Sequence, residues 1–392
     1  MKKLLSLLLA LALIACAALA LADYPLTVTD QAGREVTIEA QPERIVSGYY
    51  ISTSACIALG LSEKMVAVEA KANARNIYAL AAPELASLPS VGTAKAFDLE
   101  ACLAAEPQLV ILPKRLSDVA ASLAEFGIPA LLVSPEDDAL LTEMILLIGE
   151  AAGESERAQT LCGTLTAQLT LCEEMTAKTE KPTALVLGVS DYLHCAPGDM
   201  FQSTLLTKAG AVNAAADLTG GSWAEISYEQ MLAMNPQVLV VPAEAAYTAQ
   251  DVLDDPELAA LAAVQSGAVY AMPTAFEAWD SPVPSGVLGA LWLASALHPE
   301  AYAREQYVRV ATELYETYYG FTPDEAALRG RRKNTQPSPE PPQPVCWRLS
   351  VFRCASGAIR WGYRPSSARS LARRAWRRRC SGGCVCRAAS PC

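Results

Sequence analysis

Two carboxylates stand at matching places in a phrase that the chain writes twice. DLEACLAAEPQLVILP, residues 98–113, returns as SYEQMLAMNPQVLVVP, residues 227–242, so that Glu100 aligns with Glu229, Leu103 with Leu232, Pro107 with Pro236 and Gln108 with Gln237. Each Glu falls in the first turn of a short helix, where the helix dipole favours a carboxylate, while the Leu of the phrase points inward. A Glu at one helix start is an ordinary preference; its recurrence in register asks for a shared role. Catalytic signatures are missing by contrast. The chain has no GxxxxGK[ST], HExxH, GxSxG or SxxK, and its two histidines, His194 and His298, are too few for a dedicated His-rich metal site. These residues describe a binder rather than an enzyme, with no catalytic residues, no resident metal and no cofactor.

The elements that must position these groups follow from periodicity. TVTDQAGREVTIE alternates across an Ala-Gly turn and predicts a hairpin. RIVSGYYISTSACIALGL passes from a buried strand through a polar turn, where Ser52 or Thr53 is placed to cap the following helix. Continuous apolar runs such as LVIL, ended by Pro113, and VLVV read as strands buried on both faces. Their alternation with helices predicts an α/β fold with parallel sheets. Residues 140–180 keep helical spacing between the two copies of the phrase and predict one long connecting helix. A repeat separation near 130 residues suits a duplicated domain. The expected division is a signal segment at 1–22, lobes at 23–139 and 181–328 on either side of that connector, the second ending in a closing helix, and a tail at 329–392.

Composition bounds the setting. Lys2 and Lys3 precede a long apolar run, the pattern of an export signal. Processing before Asp23, or at the lipobox-like Leu13-Ile14-Ala15-Cys16 with a lipid on Cys16, are both open. The protein is therefore expected outside the cytoplasm, in the periplasm or tethered by lipid at the cell surface. Residues 1–328 hold 16 Lys/Arg against 41 Asp/Glu, a balance that excludes nucleic acid as a partner. Residues 329–392 hold 15 Lys/Arg and a single acid, Glu340, amid Pro, Ser, Cys and Trp. That tail reads either as a basic or metal-binding appendage, or as out-of-frame translation joined to a complete protein, and disorder is expected of it.

TVTDQAGREVTIEAQPERIVSGYYISTSACIALGL, LPSVGTAKAFDLEACLAAEPQLVIL, GGSWAEISYEQMLAMNPQVLVV and VYAM…LWLASALHPE together resemble the extracytoplasmic substrate-binding proteins of ABC importers for ferric siderophores, haem and cobalamin. The resemblance runs from about Tyr24 to Leu328. It implies a monomer of two Rossmann-like lobes joined by one long rigid helix, with a ligand cleft between them and little hinge closure. It also implies that Glu100 and Glu229 pair with Arg on the two subunits of an ABC permease dimer, and two equivalent acids suit two equivalent subunits.

Open parallel sheets bind ligands at the carboxyl ends of their strands. The expected ligand residues are accordingly Tyr49, Tyr50, Ser52, Thr53, Lys95, Lys114 and Arg115 in the first lobe. In the second they are Asp191, Tyr192, His194, Trp223, Glu277, Trp279 and Asp280. Trp223 matches an aromatic that the resemblance places against cobalamin, but its first-lobe counterpart is Ala94, which leaves half of that clamp missing. The three basic residues could meet an anionic ferric chelate, and Tyr49, Tyr50 or His194 could ligate haem iron. The ligand expected is an iron complex, most simply a ferric siderophore. Haem or a corrinoid within the same class, or a metal-chelate enzyme on a two-lobed scaffold, are the alternatives.

Overall fold

Strands buried on both faces need apolar side chains at every position, and the central strands of each half have them. In the computed structural model, which describes residues 24–329, these strands form two parallel sheets within one unit. The export-signal segment with Cys16, and residues 330–392, lie outside the described residues. The leading hairpin forms as the alternation predicts, β1 (Leu26–Thr29) pairing antiparallel with β2 (Glu35–Ile38). Buried Asp30 in its turn pairs with Arg34 at 2.6 Å and accepts the Leu132 N–H, which fastens the hairpin to the first sheet.

That sheet runs β4 (Met65–Val68), β3 (Ile45–Ser47), β7 (Leu109–Pro113), β8 (Ala130–Val133), all parallel. A small antiparallel pair, β5 (Gly92–Thr93) and β6 (Ala96–Phe97), stands beside it. The second sheet repeats the order with β11 (Val212–Asn213), β9 (Thr183–Val186), β13 (Val238–Val241) and β14 (Val269–Ala271). Its small antiparallel pair is β10 (His194–Cys195) with β12 (Ala224–Glu225).

The duplicated phrase is duplicated in space. It forms α2 (Leu99–Ala104) with β7 and, in the second half, α7 (Tyr228–Met234) with β13. Asp98 and Ser227 cap the two helices by accepting the N–H of Ala101 and Gln230. Glu106 and Asn235 end them with positive φ before the shared Pro. The shared Gln then ties each phrase to the neighbouring central strand, Gln108 accepting from the Glu43 N–H at 2.6 Å and Gln237 from the Thr183 N–H at 2.9 Å. The fully buried helix residues are Cys102 and Met231, with Leu103 and Leu232 only partly buried beside them.

The connector is two helices, not the single one predicted over 140–180. α4 (Asp138–Ala152) ends at Gly153, whose φ of 78° lies in the left-handed region, and α5 (Ser155–Thr176) continues from there. Close packing enforces the break. A Cβ on Gly149 would lie 2.4 Å from that of Ala158, so the two helices approach where only glycine fits. α4 packs on the first lobe, against β1 and α1 (Tyr50–Ala58). The 22-residue α5 reaches the second, against α6 (Phe201–Lys208) and α8 (Val287–Leu297), and is the long bridging helix.

Alternate residues of both sheets feed one common core. Ile45, Leu109 and Ile111 of the first sheet and Ala184, Val238 and Val240 of the second belong to the same cluster, with α1, α4, α5 and α8 between them. The opposite faces have separate cores. The closing helix α9 (Arg304–Leu314) and the turn Tyr315–Tyr319 also return to the first lobe, where Tyr319 meets Ser54 and Arg157 donates to the Tyr318 carbonyl. Cys56, Cys102, Cys162, Cys172 and Cys195 are buried free thiols. Among the described residues no helix is long and apolar enough to cross a membrane.

Candidate functional site

A cavity of about 240 Å³ opens where the carboxyl ends of the two sheets face each other. The first lobe supplies Tyr49, Tyr50 and Ile51 after β3, and Glu136 after β8. The second supplies Val189 after β9, the Met200–Gln202 start of α6, Trp223, Glu244 after β13, and Ala278, Asp280, Ser281 and Pro282 after β14. Tyr50 crosses between the lobes, its hydroxyl donating to Ser281 Oγ at 3.2 Å. A second link, from Asn76 Nδ2 to the Ala275 carbonyl at 3.3 Å, lies nearby.

The turn after β3 shows how the sequence builds one wall. Tyr49 is the N-cap of α1 and caps it without a side-chain bond, contrary to the expectation for Ser52 or Thr53. Both of those residues lie in the first turn and bond back to the Tyr49 carbonyl. They are fully buried, Thr53 donating to Glu69 Oε2 at 2.6 Å and Ser52 meeting Ser47 at 2.8 Å. Glu69 also accepts from Tyr78 at 2.8 Å and pairs with Arg75 at 3.3 Å, whose guanidinium stacks 4.4 Å from the centre of the Tyr50 ring. A buried polar network thus holds the tyrosines from behind, and Ser52 and Thr53 serve it rather than the cavity. Burial raises the phenols of Tyr49 and Tyr50 above their ordinary range, so both stay protonated.

Asp280 is the buried acid of the cavity. It is 5 % exposed and leaves Oδ1 without a partner. Burial first, and the charge of Glu244, push its carboxyl up to about 6. Beside it Gln202, 8 % exposed, donates to the Asp280 carbonyl at 2.7 Å and leaves Oε1 unpartnered. Glu136 and Glu244 stand exposed at the rim.

Of the residues expected from sequence, Tyr49, Tyr50, Trp223 and Asp280 line this cavity. Arg115 reaches its edge, its guanidinium 5.9 Å from the Tyr49 ring. The others do not line it. Trp279 is 1 % exposed and donates to the Tyr315 hydroxyl at 2.8 Å, which makes it core packing beneath α9 rather than cleft lining. Glu277 accepts from Ser285 behind the wall, with its carboxyl raised by removal from water. Lys95 projects from the β5–β6 turn and Lys114 from the turn after β7, both exposed. Asp191 and His194 pair with each other at 2.8 Å, and Tyr192 donates to Asp255 at 2.8 Å. His298, the C-cap of α8, is buried and meets the Gly210 carbonyl at 3.1 Å.

Sequence reasoning missed Glu136, Gln202 and Glu244. Glu136 and Glu244 follow β8 and β13 by the same strand-end rule that found the tyrosines, so that rule was a usable signal. Gln202 sits on a helix and had none.

Glu100 and Glu229 occupy the same position, the second residue of α2 and of α7, and both are exposed. The Ser227 hydroxyl lowers the carboxyl of Glu229 below its usual range. Among the described residues no cluster of His, Cys, Asp and Glu is arranged to hold a metal ion.

A profile described as "periplasmic binding protein" matches residues 45–275. The molybdate-binding protein MolA of Haemophilus influenzae is 26% identical over 353 residues, 83% of this chain and 99% of its own length. A vitamin B12-binding protein of Yersinia pestis is 28% identical over 214 residues, 53% of this chain and 72% of its own. Among solved structures, molybdate-bound MolA superposes with a TM-score of 0.68 at 21% identity, covering 76% of this chain and 99% of that one, and so shares the fold.

Proposed function

The chain belongs to the periplasmic binding protein family, a family of carriers and not of enzymes, and from that premise we propose that it captures a ferric chelate in the cleft between its lobes and delivers it to an ABC importer. The observation that carries the reading is the cavity where the two sheets meet, walled by Tyr49, Tyr50 and Trp223 from both lobes. Aromatic faces bury the apolar surface of a chelate, while the protonated phenols supply polar contacts at its rim. Glu100 and Glu229, exposed at equivalent helix starts, are the feet that meet the two permease subunits.

Haem and corrinoids fit less well. His194, the one histidine expected as an iron ligand, lies outside the cavity. A volume of about 240 Å³ suits one face or one arm of a chelate better than a whole macrocycle. Molybdate, which the Haemophilus relative binds, is a small dianion, and no Lys or Arg lines the cavity to receive it.

Native mass spectrometry and tryptophan quenching with ferric hydroxamates, ferric catecholates, haem, cobalamin and molybdate test the proposal. A one-to-one complex with a ferric chelate is expected. Trp223→Ala should weaken it about tenfold or more, as loss of one aromatic contact of roughly 1.5 kcal/mol would. Binding of molybdate alone would overturn it.

A further inference from the structure

We infer that the cavity selects ligands carrying a positively charged hydrogen-bond donor, such as a primary ammonium, which seats against Asp280 and Gln202. The inference rests on the carrier reading above and narrows its substrate class.

The census of the lining is one-sided. Three carboxyl groups, those of Glu136, Glu244 and Asp280, line the cavity or its rim, and the basic group at its edge is Arg115, beside Tyr49. Two of its donors are engaged, the Tyr50 hydroxyl on Ser281 and a Gln202 amide N–H on the Asp280 carbonyl. Two of its acceptors are not. Asp280 Oδ1 and Gln202 Oε1 belong to side chains more than nine-tenths buried, and neither has a partner. A buried acceptor without a donor is costly, and an unpaired buried carboxylate more so.

The nearby guanidiniums do not answer that need. Arg75 is held by Glu69 on the Tyr50 ring, and Arg115 stands exposed beside Tyr49. A ligand cation can therefore supply both the missing charge and the missing donors. Tyr49 and Trp223 add aromatic faces on which a cation is attracted. The same lining repels oxyanions and multiply anionic chelates, so this chain parts from its molybdate-binding relative in ligand charge while sharing its fold.

Two matched pairs of probes test this on the full chain by calorimetry at neutral pH. One is a linear ferric trihydroxamate with a free terminal ammonium, against the same chelate N-acetylated. The other is metal-free, a phenylalkylammonium against its N-acetyl amide. The charged member should bind at least tenfold more tightly in one pair or both, and Asp280→Asn should shrink that preference to about threefold or less. Equal or inverted affinity in both pairs overturns the inference, and so does a preference that survives Asp280→Asn unchanged. If the metal-free ammonium binds and neither chelate does, the ferric-chelate reading fails and the cation inference stands.

Discussion

At the scale of the residue, Asp280 exchanges stability for binding. Its carboxyl, lifted to about 6 by burial, is raised above the ordinary Asp value, so the folded state holds the proton more tightly than the unfolded chain. The associated stability is fully present below about pH 4 and is lost as pH rises through 6. At neutral pH the ionised side chain therefore costs the empty protein about 3 kcal/mol as an order of magnitude. Asp280→Asn should raise the melting temperature of the unliganded protein by several degrees at pH 7.5, and by much less at pH 4.5. Differential scanning calorimetry at the two pH values checks this, and an unchanged or lowered melting temperature at pH 7.5 would contradict it. Trp223 and Trp279 show the other lesson of this scale. Two tryptophans from strand-end loops read alike in sequence, yet one lines the cavity and the other bonds to Tyr315 in the core.

At the scale of the element, the repeated phrase encodes a helix start, a helix end and a strand in one stretch. The Gln fastens a strand 65 residues away in the first copy and 54 in the second, whereas the Ncap and the positive φ before the shared proline are local. That locality is why the phrase was legible in the sequence. It leaves the Glu free of structural work in both copies. Replacing Glu100 and Glu229 by Gln should leave the melting temperature within about 1 °C and ligand affinity unchanged, since exposed side chains without buried partners contribute little. Ligand-stimulated ATP hydrolysis by the reconstituted importer should fall at least tenfold in the double variant and less in either single one. Full stimulation in the double variant would remove the docking role. The connector was less legible. The helical spacing of 140–180 is real on both sides of Gly153, but the turn there is set by the contact between Gly149 and Ala158, which periodicity does not record.

At the scale of the whole molecule, one core joins the two lobes. Side chains from both sheets, the α4–α5 pair and the returning C-terminal helix pack together, and the cavity sits at the mouth of this arrangement. A hinge between the lobes would have to shear that packing, which close-packed interiors resist. The protein should therefore unfold in one cooperative transition reported alike by circular dichroism and tryptophan fluorescence. Saturating ligand should change its radius of gyration by less than about 1 Å in solution scattering. Two separate transitions, or a large compaction on binding, would show that the lobes act independently.

The sequence by itself determined the α/β class, the internal duplication, the paired acids and the family, because each of these is written in short-range periodicity or in residues that align without reference to their neighbours in space. Tertiary structure alone decided which strand-end residues meet. Ser52, Thr53, Glu277 and Trp279 turned into buried supports and Asp191 and His194 to each other, while Gln202 and Glu244 joined Asp280. The reason is physical: which way a loop residue points is fixed by partners dozens to hundreds of positions away, as with Tyr50 and Ser281, and no local pattern carries that information.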